Sequence, residues 1–92
     1  MAVRVRLMKM GSRNRPFYRI VVANAESPRD GRHLEMVGYY NPLTDPPEVK
    51  VKEDRVLYWL HQGAQPTQIV KEILKKEGVW EKFLQQKADK SS

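Results

Sequence analysis

VRVRLMKMGSRNRPFYRIVVA, residues Val3 to Ala23, is the stretch that decides the fold. Val3, Val5 and Leu7 alternate with Arg4, Arg6 and Met8. That period of two belongs to a strand with one face on the core and the other, here cationic, turned outward. Gly11 to Pro16 is polar and bounded by Gly and Pro, which marks a connection. Phe17 to Ala23 is aromatic and β-branched, the composition of a second strand. Two such runs with a short loop between them predict a basic hairpin.

Further along the chain, Asn24 to Arg32 is a second loop, with turn signals at Pro28 and Asp30-Gly31. His33 to Tyr40 reads as a third strand, with Leu34, Met36 and Gly38 on one face and His33, Glu35, Val37 and Tyr39 on the other. Asn41 to Glu48 contains three prolines and reads as irregular. Val49 to Lys52 alternates briefly, and its lysines suit a short edge strand. The period then changes. Asp54 reads as a helix N-cap. Val56, Leu57, Trp59 and Leu60 follow at helical spacing, and Gly63 sits where the chain leaves the helix. Pro66-Thr67 opens a second helix, with Ile69, Val70, Ile73 and Leu74 on one face and Gly78 at its end. Val79, Trp80, Phe83 and Leu84 give a short third helix. Gln85 to Ser92 loses the period and reads as a flexible tail.

Strands followed by helices define an α+β domain: a small three- to four-stranded sheet, mostly antiparallel or mixed, with two to three C-terminal helices packed on one face. The expected organisation is one domain over residues 1–84 and a tail over 85–92. The length of 92 residues fits one domain, since domains run from roughly 50 to 250 residues.

Composition excludes several classes. Cysteine is absent, which removes disulfides, thiolate metal sites and a cysteine nucleophile. The longest charge-free stretch, Val56 to Val70, is broken by Gln62, Gly63, Gln65 and Pro66, so no membrane span is expected. The N-terminus has no apolar core of a secretory signal. His33 and His61 stand too far apart to suggest a zinc site without cysteines. Glu53 and Asp54 fall at a helix start, where acids suit the dipole. Asp45 and Glu48 fall in the proline-rich loop. The five glycines form neither of the phosphate-cradling patterns, and neither Ser12 nor Ser27 has a nucleophile-elbow setting. The expectation is of no enzyme, no metal and no cofactor.

The charge is informative. Lys and Arg number 17 against 11 Asp and Glu, a net of +6. Residues 1–40 hold eight basic side chains against three acids, and residues 41–92 hold nine against eight. Seven of the eight arginines precede residue 33, and eight of the nine lysines follow residue 41. Arginine forks onto phosphate and stacks on bases, so a small basic domain with its arginines in one half points to a polyanion, nucleic acid first. Arg13 and Arg15 flank Asn14 in the first loop, next to Phe17 and Tyr18. Arg29 and Arg32 share the second loop with Asp30 and Gly31. With Arg4 and Arg6 on the strand between, these clusters predict a continuous cationic surface. Trp59, Trp80, Phe83 and the stripe through Ile69 and Leu74 are expected to be core.

The runs VRVRLMKMGSRNRPFYRIVVANAESPRDGRHLEMVGYYNP and DRVLYWLHQGAQPT closely resemble the bacterial and organellar small-subunit ribosomal protein S16 family. The resemblance covers residues 3 to about 80, with the motifs in matching order and spacing. The family usually carries Arg where this chain has Lys9, and a small residue or Lys where it has Met8. The resemblance implies an RNA-binding structural protein. Its partners would be the five-prime domain of small-subunit ribosomal RNA, which it helps to fold during assembly, and neighbouring small-subunit ribosomal proteins. No membrane or small-molecule substrate is implied, and the implied location is the cytoplasmic or an organellar ribosome. The implied RNA contacts are Arg4, Arg6, Lys9, Arg13, Asn14, Arg15, Arg29 and Arg32. By the same analogy Gly11 lets the backbone approach phosphate, and Gly31 makes the turn that carries Arg32. Two other readings remain: a free-standing RNA or DNA chaperone, and a phosphodiester-cleaving enzyme. The latter would need a carboxylate cluster for metal among Glu26, Asp30 and Glu35.

Overall fold

A computed structural model describes residues 2–26 and 33–90, with Asp89 and Lys90 described by backbone alone. The expected hairpin is its centre. Strand β1 (Val3–Gly11) pairs antiparallel with β2 (Pro16–Asn24) along its whole length, from Val3 opposite Asn24 to Gly11 opposite Pro16. Strand β3 (Glu35–Asn41) pairs antiparallel with β2, and β4 (Glu48–Val51) with β3. A fifth strand, β5 (Gln65–Pro66), runs parallel to β1 and gives a mixed sheet in the order β4-β3-β2-β1-β5. Three helices follow or interleave: α1 (Glu53–His61), α2 (Gln68–Lys76) and α3 (Val79–Lys90). The fold is α+β.

Alternation sorts the sheet into two faces. Val5, Ile20, Val22 and Val37 are fully buried against Val56, Leu60, Val70, Leu74 and Val79 of the helices. Burying side chains of this size is worth roughly 1.5–3 kcal/mol each, so this cluster is the main source of stability. Arg4, Arg6, Met8 and Met10 of β1 point the other way. They pair with Ala23, Val21, Arg19 and Phe17 of β2, and none of these eight belongs to the helix-covered cluster. Among the described residues all three helices therefore cover one face and leave the other without a helix.

Several expectations need correction. The sheet has five strands rather than three or four. The expected alternation of β3 fails because a bulge falls between Ile20 and Val21 of its partner strand. Glu35, Gly38 and Tyr40 take the registers of Val22, Ile20 and Tyr18, while Met36 and Tyr39 take those of Val21 and Arg19. At Gly38 an added Cβ would lie 2.2 Å from the Lys50 carbonyl oxygen, so the close approach of β3 and β4 demands glycine. Helix α1 starts one residue before Asp54, with Lys52 at the cap and both Glu53 and Asp54 in the first turn. Its end is a Schellman turn: Ala64 N–H donates to the Trp59 carbonyl at 3.0 Å and Gly63 N–H to that of Leu60 at 3.1 Å.

The residues from Gln85 onward were expected to be irregular, yet α3 runs to Lys90. A tertiary contact explains the extension. Gln86 Oε1 lies 2.8 Å from His61 Nε2, and the His61 ring meets the edge of Phe83 at 5.1 Å between centroids. Lys82 also pairs with Glu53. These contacts fasten α3 to α1 along a face with few apolar residues. Trp59 is half-buried rather than a central core residue. Its Nε1 donates to Glu35 Oε1 at 2.9 Å, and Arg55 grips the same carboxylate with two bonds of 2.7 Å.

Candidate nucleic-acid interface

The helix-free face of the sheet carries the first cationic cluster. Arg4 and Arg6 occupy the even register of β1, and Arg19 stands opposite Met8 on β2. Tyr39 lies next to Arg19 on β3, with Lys50 beyond it on β4. The Tyr39 hydroxyl donates to Glu48 at 3.0 Å. That hydrogen bond, with some desolvation, raises the pKa of Tyr39 above the usual phenol value. Among the described residues of β1, β2 and β3 on this face there is no acid. Phe17, Arg19, Met36, Tyr39 and Asn41 line a shallow recess upon it.

The turn between β1 and β2 carries the second cluster. Arg15 N–H donates to the Ser12 carbonyl and to Ser12 Oγ, both at 3.2 Å, which closes a tight turn over Ser12, Arg13, Asn14 and Arg15. Arg13, Asn14 and Arg15 are all exposed. Gly11 sits at φ +80°, where an added Cβ would meet the Arg15 carbonyl oxygen at 2.5 Å and the Phe17 ring at 3.0 Å. The turn itself therefore requires glycine at this position, whether or not a phosphate approaches. A cleft lined by Asn14, Arg15, Phe17, Asn41 and Thr44 joins this turn to the one after β3. There Asn41 Oδ1 accepts from Leu43 N–H at 3.0 Å. Phe17 and Asn41 line both recesses, so the turn and the helix-free face form one surface.

The structure thus brings Arg4, Arg6, Arg13, Asn14 and Arg15 to one side and end of the sheet. It separates Lys9, which alternates with Val5 and Leu7 of the helix-covered cluster and pairs with Tyr18. Lys9 is exposed beyond the edge of the helices. Arg29, Gly31 and Arg32 lie outside the described residues. Arg19, Tyr39 and Lys50 join the surface without having been singled out in the sequence. Strict alternation through Ile20 and Val22 would have found Arg19.

Several cations of the helical half have partners within it or on the sheet. Arg55 lies 4.7 Å from the Tyr58 ring centroid as well as holding Glu35, and Lys71 lies 4.9 Å from that of Trp80. Among the described residues no three His, Asp or Glu side chains gather as a metal site. No described helix is long and apolar enough to cross a membrane.

Fold and surface together define a small basic α+β domain whose sheet is covered on one face and arginine-bearing on the other. Comparison with known proteins places it within that class. The sequence profile described as Ribosomal protein S16 matches residues 9–67. The small ribosomal subunit protein bS16 of Dictyoglomus thermophilum is 54% identical over 90 residues, covering 98% of this chain and 97% of that protein. Its counterpart from Dictyoglomus turgidum is 53% identical over the same coverage. The one from Moorella thermoacetica is 54% identical over 84 residues, 91% of this chain and 93% of that protein. The chain belongs to the ribosomal protein S16 family. It is a structural protein of the small ribosomal subunit and not an enzyme.

Proposed function

We propose that the chain binds folded small-subunit ribosomal RNA, within its five-prime domain, and stabilises it during assembly of the subunit. The observation that carries this reading is the helix-free sheet face with Arg4, Arg6 and Arg19, whose β1–β3 part holds no acid among the described residues, continuous with the turn that presents Arg13, Asn14 and Arg15. Arginine forks placed along a rigid sheet neutralise phosphates where RNA helices crowd together. Recognition is mainly of backbone and shape, because the A-form major groove is too narrow for side chains to read. Phe17 and Tyr39 offer apolar and aromatic area beside the arginines for riboses or unpaired bases. Arg29, Gly31 and Arg32 extend the same proposal from sequence alone. Neighbouring small-subunit proteins are the expected protein partners, and the ribosome is the expected location.

The test is the double variant Arg13→Ala, Arg15→Ala. It should bind small-subunit ribosomal RNA at least roughly tenfold more weakly, and the slope of log affinity against log salt should fall by about two. Both side chains are exposed, so the melting temperature should hold. Unchanged affinity with a lowered melting temperature would assign the turn a purely structural role. Co-sedimentation of the parent chain with small subunits through a high-salt wash separates a fixed constituent from a transient chaperone.

A further inference from the structure

We infer that the helix side of the sheet carries a second RNA contact: a stacking site for one unpaired nucleotide, with Tyr18 and Tyr40 under the base and Lys9 at its phosphate. This deepens the RNA-binding reading and rests on it. Strand pairing sets Lys9, Tyr18, Tyr40 and Val49 side by side across four strands. The neighbouring row, Leu7, Ile20, Gly38 and Val51, lies at the edge of the helix-covered core. Tyr40 and Val49 pack against the edge of that core, while Tyr18 and Lys9 are not among its members. Tyr18 and Tyr40 are half-buried, with ring centroids 6.2 Å apart and planes 26° from parallel. Ile69 of α2 overlooks them and is 57% exposed, a large apolar side chain without cover.

The space beside the rings is about 550 Å³ and is lined by Leu7, Met8, Lys9, Tyr18, Tyr40, Pro42 and Ile69. That size falls within the range of small-ligand sites. Its lining is aromatic and apolar, and Lys9 supplies the single charge. An adjoining recess shares Tyr40 and Ile69 and continues past Pro46 and Pro47 to Glu72, Lys76 and Glu77. With Lys76 between two acids that end carries a net charge of −1, so an anionic ligand places its charge at Lys9 instead. A planar ring that stacks and one negative charge describe a nucleotide. Stacking on aromatic side chains tolerates any base, and single-stranded loops of folded RNA are where bases stand free. Lys9 lies two residues before Gly11 and Tyr18 two residues after Pro16, so the site adjoins the Arg13–Arg15 turn. RNA would grip the tip of the hairpin from both faces.

The test uses the full chain and purified small-subunit ribosomal RNA. Ultraviolet cross-linking followed by mass spectrometry should find a nucleotide on the peptide carrying Tyr18 or the one carrying Tyr40. The double variant Tyr18→Leu, Tyr40→Leu keeps apolar bulk and removes both rings. It should bind roughly tenfold more weakly with the salt slope unchanged, since no charge is lost, and Phe at both positions should lose less. A Leu variant that melts like the parent and binds RNA with parental affinity overturns the inference. So does a Leu variant that loses only its association with other small-subunit proteins. Should the Leu variant fail to fold, the cross-linking on the parent chain decides, and adducts confined to other peptides overturn it. None of these results is confused with failure of the RNA reading itself, which would appear as absent or salt-insensitive binding of ribosomal RNA by the parent chain.

Discussion

Glu35 is the side chain in which most of the specific polar bonding between sheet and helices meets. It accepts two bonds from Arg55 and one from Trp59. The hydrogen bonds from Arg55, then the one from Trp59, lower its pKa from 4.5 to about 2, against a smaller opposing effect of desolvation. A depressed carboxylate pKa contributes stability that is complete above the unfolded value and lost as pH falls through the folded one. The chain should therefore lose stability between pH 4.5 and about 2, and Glu35→Gln should flatten that loss. Because the pair is solvent-screened, the substitution should cost only about 1 kcal/mol at neutral pH. Thermal melts of both proteins across this pH window check it, and parallel curves would remove Glu35 from the explanation. The importance of Glu35 could not be read from sequence, because its partners lie 20 and 24 residues away. Tyr39 and Arg19 were likewise missed. Arg19 was in reach of the alternation rule, whereas the bulge in β3 shifted Tyr39 beyond it.

The elements, by contrast, were largely legible. The β1–β2 hairpin, the edge strand and all three helices followed from hydrophobic period and from turn residues at Gly63 and Gly78. β5 was not legible. It is two residues long and includes Pro66, which sequence rules demote. Only the parallel neighbour β1, roughly sixty residues earlier, gives it a partner, with Thr67 N–H donating to the Val5 carbonyl at 3.0 Å. The end of α3 failed for a similar reason, since His61 and Gln86 rather than an apolar stripe hold it. Helix α2 shows the opposite case, where pattern and packing agree. Leu74 is fully buried among residues of the sheet and the other helices. Leu74→Ala should cost roughly 2–5 kcal/mol, read as a lower denaturant midpoint at unchanged slope. A loss below about 1 kcal/mol would mean that α2 is not packed as described.

At the scale of the whole molecule, the uneven charge becomes a division of labour. The helical half holds acids and cations in mutual contact: Glu35 with Arg55, Glu53 with Lys82, Lys71 over Trp80. The arginines of the hairpin face outward on a sheet that those helices make rigid. A domain of this size buries only about 60–65% of its unfolded surface, so a bound polyanion also adds stability by binding the folded state alone. The most direct measurement is the affinity of the purified chain for small-subunit ribosomal RNA as salt is raised. Contact with about six phosphates predicts a steep linear fall of log affinity with log salt, on the order of 10³-fold between 50 and 200 mM. An affinity that stays flat over that range would contradict an interface built on the hairpin arginines.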